Sequence, residues 1–181
     1  MIEYGMMTAK AMMMSMMVSS GAPLDEHNVE EMYCMSLNIY YEARGESLKG
    51  KQAVGNVVLN RVEHPKYPNT VCGVVYEARL WNGKVIRDMC QFAWYCDGLK
   101  DDPQLYYKVE PRRGKVIEPN MRDWVTSMQV AIKLMERNLW YRDPTKGATH
   151  YYNHNISTPS WSTVYPVTII VENHTFLYRT D

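Results

Sequence analysis

The stretch IYYEARGESLKGKQAVGNVVLNRV, Ile39 to Val62, decides how this chain is read, because it carries the end of one helix, a corner and the whole of the next helix. Upstream of it, Val29, Met32, Tyr33, Leu37, Tyr40 and Tyr41 recur at helical spacing. Asn28 is placed to cap that helix, with Glu30 and Glu31 in its first turn, where acids complement the helix dipole. Gly45 is expected to end it in the left-handed conformation. Ser47 can then cap a second helix whose Val54, Val57, Val58 and Val62 form a stripe that runs out at HPKYPN, His64 to Asn69.

The corner places Glu42 at the C-terminal end of the first helix, beside unpaired carbonyls and the apolar surface of Tyr40 and Tyr41. Both disfavour the charged form of a carboxyl, which suits Glu42 to be a general acid near neutral pH. Arg44 would cancel that effect if its guanidinium turned toward Glu42. Glu46 is the secondary catalytic candidate, as the other carboxylate of a two-acid glycosidase. Across a glycine-broken corner the two need not share a cleft, and a first-turn acid of the second helix is the stronger role for Glu46.

Working outward, Asn69 is placed to cap a third helix through Val71, Val74 and Val75, and Asn120 a long one carrying Trp124, Val125, Met128, Ile132, Met135 and Leu139. The first two-thirds therefore reads as mainly helical. After Gly147 the text changes to Tyr, Asn, Ser, Thr and Pro, and VTIIV (Val167 to Val171) and TFLYR (Thr175 to Arg179) bracket the turn-like Glu172-Asn173-His174 as a hairpin. The expected class is α+β, mainly α, with a small C-terminal β-hairpin.

At the other end, eight of the fourteen Met lie in the first seventeen residues. This divides a Met-rich segment, residues 1–24, from a domain over 25–181. Lys10, the apolar run Ala11 to Val18 and small residues to Ala22 are signal-like, though Glu3 sits where a basic leader belongs. The other expectation is a helix whose thioether face packs on its own domain or docks on a partner, in a virion or by self-association. The segment is too short for a membrane span.

The 181 residues suffice for one core, and 46% hydrophobic with 22% charged residues excludes a disordered or rod-like chain. Twenty basic residues balance twenty acidic ones, so no general attraction to nucleic acid is expected. Cys34, Cys72, Cys90 and Cys96 lack paired C-x-x-C spacing, which disfavours a structural zinc site; Cys90 and Cys96 could close a small loop in an oxidising compartment.

Five stretches, taken together, resemble the SleB-type cell-wall hydrolases, whose best-known branch is the spore-cortex-lytic enzymes. They are Ile39 to Val62, YPNTVCGVVYE (Tyr67 to Glu77), CQFAWYCDG (Cys90 to Gly98), ATHYYN (Ala148 to Asn153) and ENHTFLYR (Glu172 to Arg179). The resemblance implies a lysozyme-like compact helical domain, cleaving the glycan backbone of peptidoglycan beside N-acetylmuramic acid. It also implies that the first Glu of EARGE, here Glu42, is the catalytic acid of a lytic transglycosylase that needs no second carboxylate, metal or cofactor. Gln91 and Trp94 become candidates for sugar binding, as do Thr149, His150, Tyr151, Asn153 and Trp161. Trp94 and Trp161 have packing in the core as the competing role, and strand alternation lets at most half of the ATHYYN residues face a cleft. The expected place of action is the cell wall, on the periplasmic or extracellular side, as a phage lysin or a bacterial autolysin.

Two other classes compete. A zinc-dependent amidase could use His150 and His154, four apart, with His174, but their Pro/Ser/Thr-rich setting lacks helical punctuation. A catalytically inert glycan-binding or virion structural protein would keep the fold without turnover.

Overall fold

Asp25, not Asn28, starts the helix that organises the molecule. In the computed structural model of the chain, which describes residues 3–6, 8–103, 105–110, 114–117, 119–136 and 142–180, the Asp25 carboxylate accepts from the Asn28 amide at 3.1 Å. This sets the helix one turn back and brings Glu26 into its first turn. The chain order is β1 (Glu3–Met6), α1 (Ala9–Ser20), α2 (Glu26–Glu42), α3 (Leu48–Glu63), α4 (Val71–Val75), β2 (Ala78–Trp81), β3 (Lys84–Cys90), β4 (Tyr106–Glu110), β5 (Gly114–Ile117), α5 (Pro119–Met135), β6 (His150–Asn153), β7 (Val167–Val171) and β8 (His174–Leu177).

Helix α2 is buried on nearly every side, because α1, α3, α4 and α5 pack around it. A single apolar stripe describes only part of it: Ser36 and Asn38 are buried too. Each finds a partner, the Ser36 hydroxyl on the Met32 carbonyl at 2.8 Å and the Asn38 carbonyl oxygen on the Trp94 indole N–H at 3.2 Å. At Gly55 on α3 the side chains of α2 and α5 come too near to admit another residue, since a Cβ there would lie 2.4 Å from Leu134 Cδ1 and 3.0 Å from Ile39 Cδ1.

The methionine-rich segment is α1. Its Ala9, Met13 and Met17, four apart, are fully buried in the same cluster as Met32, Met35, Trp124 and Met128. One core thus crosses position 24. Lys10 pairs with Glu30 and lies over the Tyr33 ring, tying α1 to α2. Among the described residues no helix is long and apolar enough to cross a membrane.

Three caps differ by a residue or two from expectation. Helix α2 closes at Ala43, so the left-handed Gly45 (φ +80°) follows the cap instead of forming it. Thr70, not Asn69, caps α4, accepting from the Gly73 amide at 3.0 Å. The Glu31 carboxylate reaches over from α2 to take the Val71 and Cys72 amides at 2.6 and 3.3 Å, and the Cys34–Cys72 disulfide joins the same two helices. Helix α5 begins at Pro119, a favoured first residue, which puts Asn120 inside the first turn; Leu139 lies outside the described residues. Ser47 caps α3 as expected.

The helical expectation for the first two-thirds leaves out two β units. Strands β1, β4 and β5 form an antiparallel sheet in the order β1-β4-β5, and β2 and β3 form a ribbon. The ribbon's turn is Asn82-Gly83, with φ of 49° and 74°, the left-handed pair that a type I′ hairpin demands. The C-terminal hairpin is present as β7 and β8, and β6 joins it in the antiparallel order β6-β8-β7. Ala53 and Val57 of α3 pack on this sheet through Ala148, Val171 and Phe176. Helix α3 also fixes the chain entering β6: Asn60 donates to Asp143 and to the Ala148 carbonyl, both at 2.9 Å.

Candidate functional site

The end of α2 opens into a cleft of about 390 Å³. Glu42 enters it from α2, Arg61 from α3, Gln91 and Phe92 from the segment after β3, His150 and Tyr151 from β6, and Trp161 and Tyr165 from the loop beyond. Among the described residues Glu42 is the only carboxylate lining it.

The Tyr151 hydroxyl donates to Glu42 Oε2 at 2.9 Å. Burial pushes the Glu42 carboxyl above its ordinary pKa; that hydrogen bond and the Arg61 charge pull the other way, and burial wins. Arg44, which could have cancelled the effect, is turned away: it donates to Asn120, lies 3.9 Å from Asp123, and stacks 5.5 Å from the Tyr40 ring centroid. The α2 terminus is closed by Lys51, whose ammonium donates to the Ala43 carbonyl at 2.7 Å. With Oε2 taken by Tyr151, the acid proton of Glu42 belongs on Oε1. Burial and the neighbouring Glu42 raise the Tyr151 pKa, so the phenol stays a donor.

Arg61 is the residue that the sequence left unassigned. It is 4% exposed, its Nε donates to the Thr149 carbonyl at 2.7 Å, and its guanidinium packs 5.3 Å from the Tyr67 ring and 5.2 Å from that of Phe92. The available signal is spacing: a charge four residues after Val57, on a buried stripe, must serve a buried partner. Tyr165, which no motif marks in the sequence, flanks His150 together with Trp161, at ring distances of 4.7 and 5.4 Å.

Of the sugar-binding candidates, Gln91, His150, Tyr151 and Trp161 line the cleft. Of the ATHYYN residues His150 and Tyr151 line it, consecutive positions on the edge strand β6. Trp94 does not line it; the indole is 7% exposed, stacks 4.8 Å from Tyr41, and serves the core. Thr149 is 1% exposed and does not line the cleft; its hydroxyl accepts from the Arg179 amide at 3.1 Å and lies 3.1 Å from His150 Nδ1. Asn153 ends β6 and does not line the cleft; its side chain accepts from the Asn155 amide of the turn that follows at 3.0 Å.

Glu46 lies outside the cleft. It accepts from the Asn173 side chain at 3.0 Å and faces His174 Nδ1 at 3.9 Å, beside a Ser47 hydroxyl that donates to Glu172. These contacts seat the start of α3 on the β7–β8 turn. Glu46→Gln, which keeps the Asn173 contact, is expected to lose less than about tenfold in turnover, with an unchanged circular dichroism spectrum. Among the described residues no three His, Cys, Asp or Glu side chains gather as a metal site: residues 150–153 are a strand, His154 Nδ1 sits 3.2 Å from the Thr175 hydroxyl, and His174 faces Glu46.

Tyr151→Phe removes a hydrogen bond that favours the Glu42 carboxylate, so the acid should hold its proton to higher pH. The alkaline limb of the kcat profile is expected to move upward while kcat at its optimum falls about tenfold, read from turnover against pH.

Residues 45–177 match the family described as Cell Wall Hydrolase. The match opens three residues after Glu42. The spore cortex-lytic enzyme of Bacillus cereus is 27% identical over 150 residues, covering 83% of this chain and 45% of its own length. That of Bacillus subtilis is 28% identical over 123 residues, 68% of this chain and 29% of that protein. The chain thus spans less than half the length of these relatives. Among solved structures, the catalytic domain of the germination-specific lytic transglycosylase SleB from Bacillus anthracis aligns with a TM-score of 0.55 at 26% identity, over 81% of this chain and 93% of that one.

Proposed function

This chain belongs to the cell wall hydrolase family, and on that footing we propose that it cleaves the glycan backbone of peptidoglycan at N-acetylmuramic acid, as a lytic transglycosylase with Glu42 as its single acid. The observation that carries this is the cleft itself, where one carboxylate, held toward its protonated form, stands without a second among the described residues. A hydrolase that activates water by a separate base needs two carboxylates flanking the bond. A transglycosylase needs one.

In the proposed reaction Glu42 gives its proton to the glycosidic oxygen as the bond from that oxygen to the anomeric carbon breaks. A hydroxyl of the same muramoyl residue then bonds to the anomeric carbon, closing an anhydro ring, and its proton returns to Glu42. The nucleophile belongs to the substrate, so proximity replaces the capture of a water molecule. Between the two halves Glu42 is a carboxylate, and the Tyr151 hydroxyl together with the Arg61 charge favours that form when it is needed. The aromatic group of His150, Trp161 and Tyr165 supplies flat surface for sugar rings, and Gln91 supplies amide donors and acceptors. The Cys34–Cys72 and Cys90–Cys96 disulfides fit action at the wall, on the periplasmic or extracellular side.

Mass spectrometry of fragments released from purified peptidoglycan tests the proposal. Anhydromuramoyl ends are the expected product. Reducing muramic ends would replace the transglycosylase with a hydrolase, and freed stem peptides with an amidase.

A further inference from the structure

The β2–β3 ribbon projects with both faces open. Only Ala78, Ile86 and Cys90 of its strand residues are even partly covered, and Leu80 and Trp81 are 62% and 72% exposed, with Val85 and Met89 also exposed. Two strands alone are marginal in water. This pair is held at its base by the Cys90–Cys96 disulfide and at its tip by the Asn82-Gly83 turn. Apolar surface maintained in that way marks a binding face.

Its position says what it binds. A groove of about 380 Å³, lined by Glu77, Ala78, Arg79 and Met89, shares Cys90 and Gln91 with the Glu42 cleft. The concave surface therefore continues from the acid to the base of the ribbon, and farther out Trp81, Lys84 and Val85 line a shallower concavity. A glycan strand seated at Glu42 is a polymer and must leave the cleft in both directions. Charge agrees with this path: in a chain of zero net charge the ribbon carries Arg79, Lys84 and Arg87 against Asp88 alone, and Asp88 already pairs with Arg87 at 3.8 Å. The stem peptides of a glycan strand bear free carboxylates.

We propose that the ribbon is a distal subsite for the peptidoglycan strand, with Trp81 stacking on a sugar beyond those held in the cleft and Arg79 and Lys84 meeting stem-peptide carboxylates. This rests on the activity proposed above. It predicts dependence on substrate length: Trp81→Ala should weaken co-sedimentation with intact sacculi, and raise KM on them, about tenfold. Its kcat, and its turnover of a short soluble muramoyl tetrasaccharide, should match wild type. Arg79→Ala with Lys84→Ala should weaken binding to sacculi and flatten its salt dependence. All three positions are exposed, so folding is not at stake. Unchanged binding to sacculi by Trp81→Ala, or an equal loss on both substrates, would overturn the subsite. So would a wild-type dimer that Trp81→Ala dissociates in sedimentation equilibrium while wall binding stays intact, since the ribbon would then join two copies of the chain. If wild type releases no glycan fragments, the proposed activity fails, while co-sedimentation still reports on the ribbon.

Discussion

Glu42→Gln is expected to abolish release of glycan fragments from peptidoglycan, with a loss of at least about 100- to 10,000-fold in kcat, the usual contribution of a positioned proton donor. The substitution changes little else. Glutamine has the same shape and its carbonyl oxygen still accepts from the Tyr151 hydroxyl, so the cleft keeps its form while the transferable proton is gone. Stability supplies the control. Burial raises the folded-state pKa of Glu42 above its unfolded value, so the folded protein prefers the proton; ionisation begins to cost stability as pH rises past the unfolded pKa, and the cost is complete above the folded one. A neutral glutamine escapes it. The variant should therefore melt at the same temperature as wild type at low pH and at an equal or higher one toward pH 8, although inactive throughout. Wild-type fragment release by Glu42→Gln, measured by mass spectrometry, would remove Glu42 from the reaction. Total inactivity of Glu46→Gln with an intact fold would transfer the role to Glu46, in spite of its place outside the cleft.

The second large effect concerns α1. Met13→Ala and Met17→Ala should each destabilise the protein by about 2–5 kcal/mol in urea or thermal unfolding, the range for truncating a long, fully buried side chain. Both side chains belong to the cluster that also holds Trp124 and Met128, and flexible thioethers fill such irregular gaps closely. Being neighbours on one face, the two losses need not add. Met14, 42% exposed on the same helix, is the control, with a change to Ala within about 0.5 kcal/mol. An α1 that served only to dock elsewhere would leave all three variants equally stable.

The local elements around the corner were legible because their signals are local. Helical periodicity and the Ser47 cap act within a few residues, so α3 starts where the chain says and α2 lies within a turn of it, and the place of Glu42 at a helix end follows from them. The same kind of local signal, Asn82-Gly83, marks the ribbon, whose strands carry no helical stripe. The Cys34–Cys72 pairing, 38 residues apart, had no local sign.

Side-chain direction is where local signals fail. Trp94 and Trp161 are equally apolar in sequence, yet one is sealed against Tyr41 and Asn38 and the other lines the cleft. Glu42 and Glu46 are four residues apart on one corner, and the partners that separate them, Tyr151 and Asn173, lie more than a hundred residues downstream. The helices, the corner between them and the acid at its edge follow from the chain's local properties, because hydrogen bonding and apolar spacing within a helix need no distant partner. Which carboxylate faces a cleft and which anchors a turn is settled by distant segments, because both depend on neighbours that arrive once α2 and α3 have closed on the C-terminal sheet.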